Sequence, residues 1–151
     1  MNTAKRLKNL KSQSSQKKLL RFGVNNELLL TIVFGSFVAT YLDLFFVGMG
    51  MYRFGFRPFP DIFSINILFT LFVLPLSLLL YLTYISKLRG WRISGIILLL
   101  SLLGAVFERF AEKLGWFIHH MNWEHYYSVI GYFVYLHLLL FMYKWVVKRK
   151  N

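Results

Sequence analysis

Residues 62–86 read IFSINILFTLFVLPLSLLLYLTYIS, 25 consecutive positions without one charged side chain. A helix needs about 20 mainly apolar residues to cross a hydrocarbon core of roughly 30 Å, so this run alone is long enough. Lipid offers no partners to free backbone groups, and the run lacks the alternation of barrel strands, so a helix is the expected form. Pro75 removes the donor that would meet the Leu71 carbonyl four residues earlier, which predicts a kink there.

Three more spans flank this one. Residues 28–51 are interrupted only by Asp43. Residues 93–107 carry no charge over 15 positions, which is about 22 Å of helix, so a spanning helix must continue through Glu108. Residues 127–147 hold His137 near their middle and Lys144 close enough to the end to snorkel. The expected fold is therefore all-α, an integral membrane bundle of four transmembrane helices. Its spans cover about 28–51, 62–86, 92–114 and 127–147. They form one membrane domain over 27–147, between a basic arm at 1–26 and a basic tail at 148–151.

Composition agrees. The chain has 151 residues, of which 57% are hydrophobic and 16% charged, against roughly 45–50% and about 25% in soluble domains. It has no cysteine, which excludes disulfides, thiolate metal sites and thiol catalysis. Eighteen Lys and Arg against six Asp and Glu give a net charge of +12, a balance that by itself would suit nucleic acid. Placement gives it another meaning. Fourteen of the 18 lie in the N-terminal segment, the 87–92 loop and the C-terminal end from Lys144 onward, leaving Arg53, Arg57, Arg109 and Lys113 for the other side. Lys and Arg collect in cytoplasmic loops, so both termini are expected inside, N-in and C-in, as an even number of spans requires. Arm and tail are expected to fix topology and to meet anionic lipid headgroups; no nucleic acid is expected. The first apolar run starts late and continues at full membrane length, as in an uncleaved anchor.

Ionisable groups inside spans are costly and mark functional candidates. Asp43, Glu108 and Glu112 all fall toward the outer ends of their spans. Residues three, four or seven apart share a helix face, which predicts polar stripes of Ser36, Thr40 and Asp43; of Asn66, Thr70 and Ser77; and of Ser94, Ser101, Ala105, Glu108 and Glu112. Pointing inward together, these would make a polar seam that deepens toward the outside. Small residues such as Gly35, Ala39 and Gly104, with the hydroxyls, also suit close helix packing. Arg53, Arg57, Arg109 and Lys113 could neutralise the carboxylates, Arg109 reaching Glu112 at i+3. His137 fits an interhelical hydrogen bond or a proton-carrying role. The outer stretch His119, His120, Met121, Asn122, Trp123, Glu124, His125 offers imidazole and carboxylate ligands for a divalent metal at His119, His120, Glu124 and His125, without a fixed zinc-motif spacing. No cofactor-binding glycine loop and no nucleophile elbow is present. Trp91, Trp116, Trp123, Tyr126 and Tyr127 fall at span ends, where interfacial aromatic belts form.

Several short motifs together resemble a family of small uncharacterised multi-span membrane proteins of spore-forming Gram-positive bacteria. They are Tyr41-Leu42-Asp43, the loop Tyr52-Arg53-Phe54-Gly55-Phe56-Arg57-Pro58-Phe59-Pro60, Pro75, the segment Phe107-Glu108-Arg109-Phe110-Ala111-Glu112-Lys113, and Asn122-Trp123 with Tyr127. The resemblance covers about residues 40–130 and implies a multi-span bundle in a bacterial cytoplasmic membrane, with Asp43, Glu108 and Trp123 marked but without an activity. Asn66 stands where relatives would carry an acid, so no ion role carries over to it. The expected function is a non-enzymatic accessory, sensing or assembly component with a polar site toward the outer face, partnered by the bilayer and by a second copy or another membrane protein. A small proton or cation transporter or channel subunit using Asp43, Asn66, Glu108 and His137 is the alternative. A membrane-embedded hydrolase or transferase is the third.

Overall fold

A computed structural model describes residues 25–120 and 124–150; the basic arm up to residue 24, Trp123 and the last residue lie outside the described residues. Four helical segments run alternately up and down: α1 (Asn26–Gly48), α2 (Leu74–Ile85), α3 (Arg92–Lys113) and α4 (His125–Lys150). Two three-residue strands, β1 (Tyr52–Phe54) and β2 (Phe117–His119), lie in the α1–α2 and α3–α4 connections and pair with each other. Helices α1, α3 and α4 are each long and apolar enough to cross a membrane. Only 22%, 17% and 11% of their most apolar stretches are buried inside the molecule, so most of that apolar surface faces outward. In water such a surface would drive association, whereas in lipid it needs no cover.

The helix in the second apolar run is shorter than the run and falls short of the length of the other three. Helix begins at residue 67 rather than 62 and ends at Ile85, about 28 Å of axis at ordinary helical rise. Residues 62–66 are spent on turns, because Pro58 and Pro60 flank Phe59, which takes a positive φ of 52°, and Arg57 gathers the loop around itself. Its guanidinium donates to the carbonyls of Phe63, Phe54 and Pro60. Asn66 then starts the helix: its Oδ1 accepts from the Phe69 amide at 3.2 Å while its Nδ2 donates to the Phe56 carbonyl, the N-capping geometry that Asn favours. Pro75 is answered by a π-helical turn over Phe69–Val73 that leads directly into α2. The wider turn carries the chain across the step where proline has no N–H to give.

Helices α1 and α3 end in the same device. Gly50 and Gly115 take φ of 72° and 73°, and the two residues at each turn donate back into the last helical turn, Gly50 to Val47, Met51 to Phe46, Gly115 to Glu112 and Trp116 to Ala111. That is the Schellman closure, which needs the left-handed backbone that only glycine adopts freely. Each turn delivers the chain into a strand two residues later. Pairing is antiparallel, Tyr52 opposite His119, Arg53 opposite Ile118 and Phe54 opposite Phe117. The bonds Gly55 N–H to Trp116 O and His120 N–H to Met51 O extend it at both ends. Cross-strand alternation sets Tyr52, Phe54, Phe117 and His119 on one face, where their rings pack at 4.5–5.9 Å between neighbours.

Away from the sheet the bundle is filled by Leu28, Ile32, Leu78, Tyr81, Leu82, Ile85, Ile97, Leu139 and Leu140. Two tyrosines tie helices across it: Tyr81 donates to the Leu136 carbonyl at 2.7 Å and Tyr135 to the Gly35 carbonyl at 2.9 Å. A Cβ on Gly35 would lie 2.6 Å from Leu139 Cδ1, so this glycine is what lets α1 approach α4, the small-residue contact of membrane helices.

Gly55 tests the sheet. A Cβ there would lie 2.1 Å from the Gly115 carbonyl oxygen, a backbone atom that cannot swing aside. Gly55→Ala is expected to cost about 1–3 kcal/mol, read as a lower melting temperature in detergent. Gly95→Ala, which meets nothing within 4 Å, should leave melting unchanged or raised.

Candidate functional site

Four ionisable side chains of the described residues gather where the two-stranded sheet meets α3 and α4. Glu108 and Glu112 are one helical turn apart on α3 and share a face. His119 comes from the last position of β2 and His125 from the first turn of α4. His119 Nε2 lies 2.9 Å from Glu108 Oε1 and its Nδ1 3.1 Å from Glu112 Oε1. His125 Nδ1 lies 3.8 Å from Glu108 Oε1 and its Nε2 3.5 Å from Glu112 Oε2. The His119 and Glu108 side chains are only 5% and 8% exposed, while those of Glu112 and His125 are 34% exposed. The cluster is therefore sealed on one side and open on the other.

A carboxylate as buried as Glu108 is expensive unless both oxygens are engaged. Both are. Ser128 donates to Oε1 at 2.6 Å and Tyr132 to Oε2 at 2.9 Å, so one turn of α4 supplies two hydroxyls to one acid on α3. Gly104 makes room for this: a Cβ there would stand 3.0 Å from the Tyr132 ring.

Asp43 joins at second hand. Tyr52 donates to Asp43 Oδ1 at 2.6 Å and sits cross-strand from His119, the two rings 6.4 Å apart. Asp43 and Glu108 are thus linked through Tyr52 and His119 rather than to each other. Burial first, and then the charge and hydrogen bond of Asp43, push the Tyr52 phenol well above its ordinary value. It stays a protonated donor throughout the neutral range.

The packing places the other candidate residues apart from the cluster. Arg109 is exposed and makes no ion pair with Glu112 among the described residues, because Glu112 turns toward the two imidazoles. Arg57 serves the loop backbone instead of a carboxylate, and Arg53 is exposed. Asn66 is a helix cap, so the second helix contributes nothing acidic or amide-bearing to the seam. Ser77 is exposed and bonds to its own helix at Val73. Thr40 and Ser101 likewise bond back to Ser36 and Ile97. His120 and Glu124 are exposed and stand outside the cluster. His137 sits between the Phe133 carbonyl, 2.9 Å from Nδ1, and Ser94 Oγ, 3.3 Å from Nε2, an interhelical contact remote in sequence from the acids.

Three members of the cluster, Glu108, His119 and His125, each bring one donor atom, and these atoms lie within 4.8 Å of one another, close enough to share a single cation. Tyr52, Ser128 and Tyr132 were not legible as site residues. Only Ser128 and Tyr132 carried a usable signal, four apart at the start of an apolar span. No known family model, curated protein or solved structure matches the chain.

Tyr52→Phe removes the donor to Asp43 without changing bulk. It is expected to lower stability by about 1.5–3 kcal/mol, as for a hydrogen bond to a charged group. Tyr41→Phe, at an exposed tyrosine, should leave the melting temperature in detergent within error of the parent.

Proposed function

We propose that the chain is a four-span protein of a bacterial cytoplasmic membrane, N-in and C-in. In this reading it is a non-enzymatic accessory, sensing or assembly component whose working part is the outward-facing Glu108, Glu112, His119 and His125 cluster. The observation that carries this reading is that cluster: four ionisable side chains from three elements converge at the end of the bundle where the sheet lies. Charge distribution supports the orientation. By this reading the 14 basic residues of the N-terminal segment, the 87–92 loop and the C-terminal end from Lys144 onward belong to one side, and every acid except Glu27 to the other. The segment over 67–85 is long enough to serve as the fourth span with slight thinning of the bilayer around it. The motif resemblance to small membrane proteins of spore-forming Gram-positive bacteria supports the location. The basic arm and tail are taken as the contacts with anionic headgroups, and a second copy or another membrane protein as the partner.

A conduit for protons or cations is less well supported. The cluster is separated from the opposite end by Leu82, Ile85, Ile97, Leu139 and Leu140, all buried and apolar. A path through them would need water where the side chains leave none.

Absence of cysteine makes the orientation easy to test. Single cysteines at the exposed positions Glu124 and Trp116 should react with a membrane-impermeant thiol reagent on intact cells. One at Lys87 should react only after permeabilisation, and the reverse pattern would overturn the topology. Reconstituted protein should pass no protons or monovalent cations in a dye-loaded vesicle assay. A flux that Glu108→Gln abolishes would replace the accessory reading with transport.

A further inference from the structure

We propose that Glu108, His119 and His125 form a three-ligand site for one divalent transition-metal ion of the zinc class, with Glu112 orienting both imidazoles from behind. The fourth coordination position is left to water or to a ligand from outside the chain. This rests on the outward polar cluster proposed above and names what it binds.

The division of labour follows from which nitrogen faces which acid. His119 turns Nε2 and His125 turns Nδ1 toward Glu108 Oε1, at 2.9 and 3.8 Å. The opposite nitrogens, His119 Nδ1 and His125 Nε2, face the two oxygens of Glu112 at 3.1 and 3.5 Å. One carboxylate therefore lies on the inner side of both rings and the other on the outer side. Metal-bound histidines have this arrangement, one nitrogen on the ion and the other on a carboxylate that fixes tautomer and ring orientation. Ligand atoms held tetrahedrally at about 2.0–2.1 Å from zinc lie roughly 3.3 Å apart. The separations of Glu108 Oε1 from His119 Nε2 and from His125 Nδ1, 2.9 and 3.8 Å, bracket that value, and one donor atom from each of the three residues lies within 4.8 Å of the others.

An ion-pair cluster without metal accounts for the geometry less well. His125 Nδ1 is buried and makes no hydrogen bond among the described residues, and at 3.8 Å from Glu108 Oε1 it is beyond hydrogen-bond reach. An ion between them gives His125 Nδ1 a partner. With neutral imidazoles, the two carboxylates also balance one dication. Two nitrogen donors favour zinc and its transition-metal neighbours over calcium and magnesium, which prefer all-oxygen shells. Ser128 and Tyr132 hold the ligating acid by both oxygens, and the half-exposed side of His125 and Glu112 is the entry path. A His₂Glu set with an open position is the arrangement that keeps an exchangeable site.

The test uses the full chain purified in detergent on a tag free of histidine, with zinc itself as the probe, measured by elemental analysis and by competition with a chromophoric chelator. One zinc per chain is expected. Glu108→Gln and His125→Ala should weaken binding by at least about 100-fold, and Glu112→Gln by about 10–100-fold with the stoichiometry kept. His120→Ala and His137→Ala should bind as the parent does. Because His125→Ala could also disturb folding, His125→Cys is the second variant. With cobalt(II) in place of zinc it should restore binding and add a near-ultraviolet sulfur-to-cobalt charge-transfer band. The proposal is overturned by a parent that binds no stoichiometric zinc, by zinc retained equally in Glu108→Gln and His125→Ala, or by a His125→Cys protein without that band. Binding in detergent does not depend on which side of the membrane the site faces, and thiol labelling does not depend on metal, so the two readings fail separately.

Discussion

A carboxylate has been placed in the wall of an apolar bundle, and much of the architecture around it can be understood as the means of keeping it there. Glu108 is 8% exposed on a helix whose other faces are leucine, isoleucine and phenylalanine. An uncompensated charge in such surroundings costs several kcal/mol. The compensation arrives from two directions: hydroxyls of Ser128 and Tyr132 from α4, and the imidazole of His119 from the sheet. The first is a matter of helix packing, since Gly104 lets the Tyr132 ring lie against α3. The second requires that a loop be held rigidly above the bundle.

Rigidity is what the two-stranded sheet provides. Three residues per strand would not persist alone in water, but here both strands leave helix ends through identical glycine closures, and their shared aromatic face rests on the bundle. Tyr52 and His119, paired across the sheet, are each drawn down by an acid, Asp43 on α1 and Glu108 on α3. The sheet thereby couples two helices whose carboxylates never meet. Beyond the polar groups under the sheet the leucine and isoleucine core begins, so the interior changes along the bundle axis from polar to chiefly apolar.

Much of this division was legible in the sequence. Long uncharged runs identify the helices, and i+4 spacing of Glu108 and Glu112 puts both acids on one face. His119 and His125 were recognisable as ligand-bearing residues, but not as the pair that converges, since choosing them over His120 and Glu124 depends on strand register. Strands of three residues leave no period to read. Asn66 looked like an intramembrane polar group because it sits inside an apolar run; its role as helix cap follows from the turn that Pro58 and Pro60 impose just before it. Pro75 foretold a disturbance in the second helix but not its form as a π turn. Arg109 seemed an obvious partner for Glu112 by spacing, yet two imidazoles at shorter reach take that acid instead.

Among the described residues the cluster is where four ionisable side chains converge, two of them nearly sealed from solvent, and we take it to be what the bundle exists to present. The most direct measurement is an X-ray absorption spectrum of the zinc-loaded protein in detergent. A single site with nitrogen and oxygen neighbours at about 2.0–2.1 Å and the outer-shell scattering of two imidazole rings is the predicted result. A shell of six oxygens without imidazole scattering, as for a loosely held hydrated ion, would contradict it.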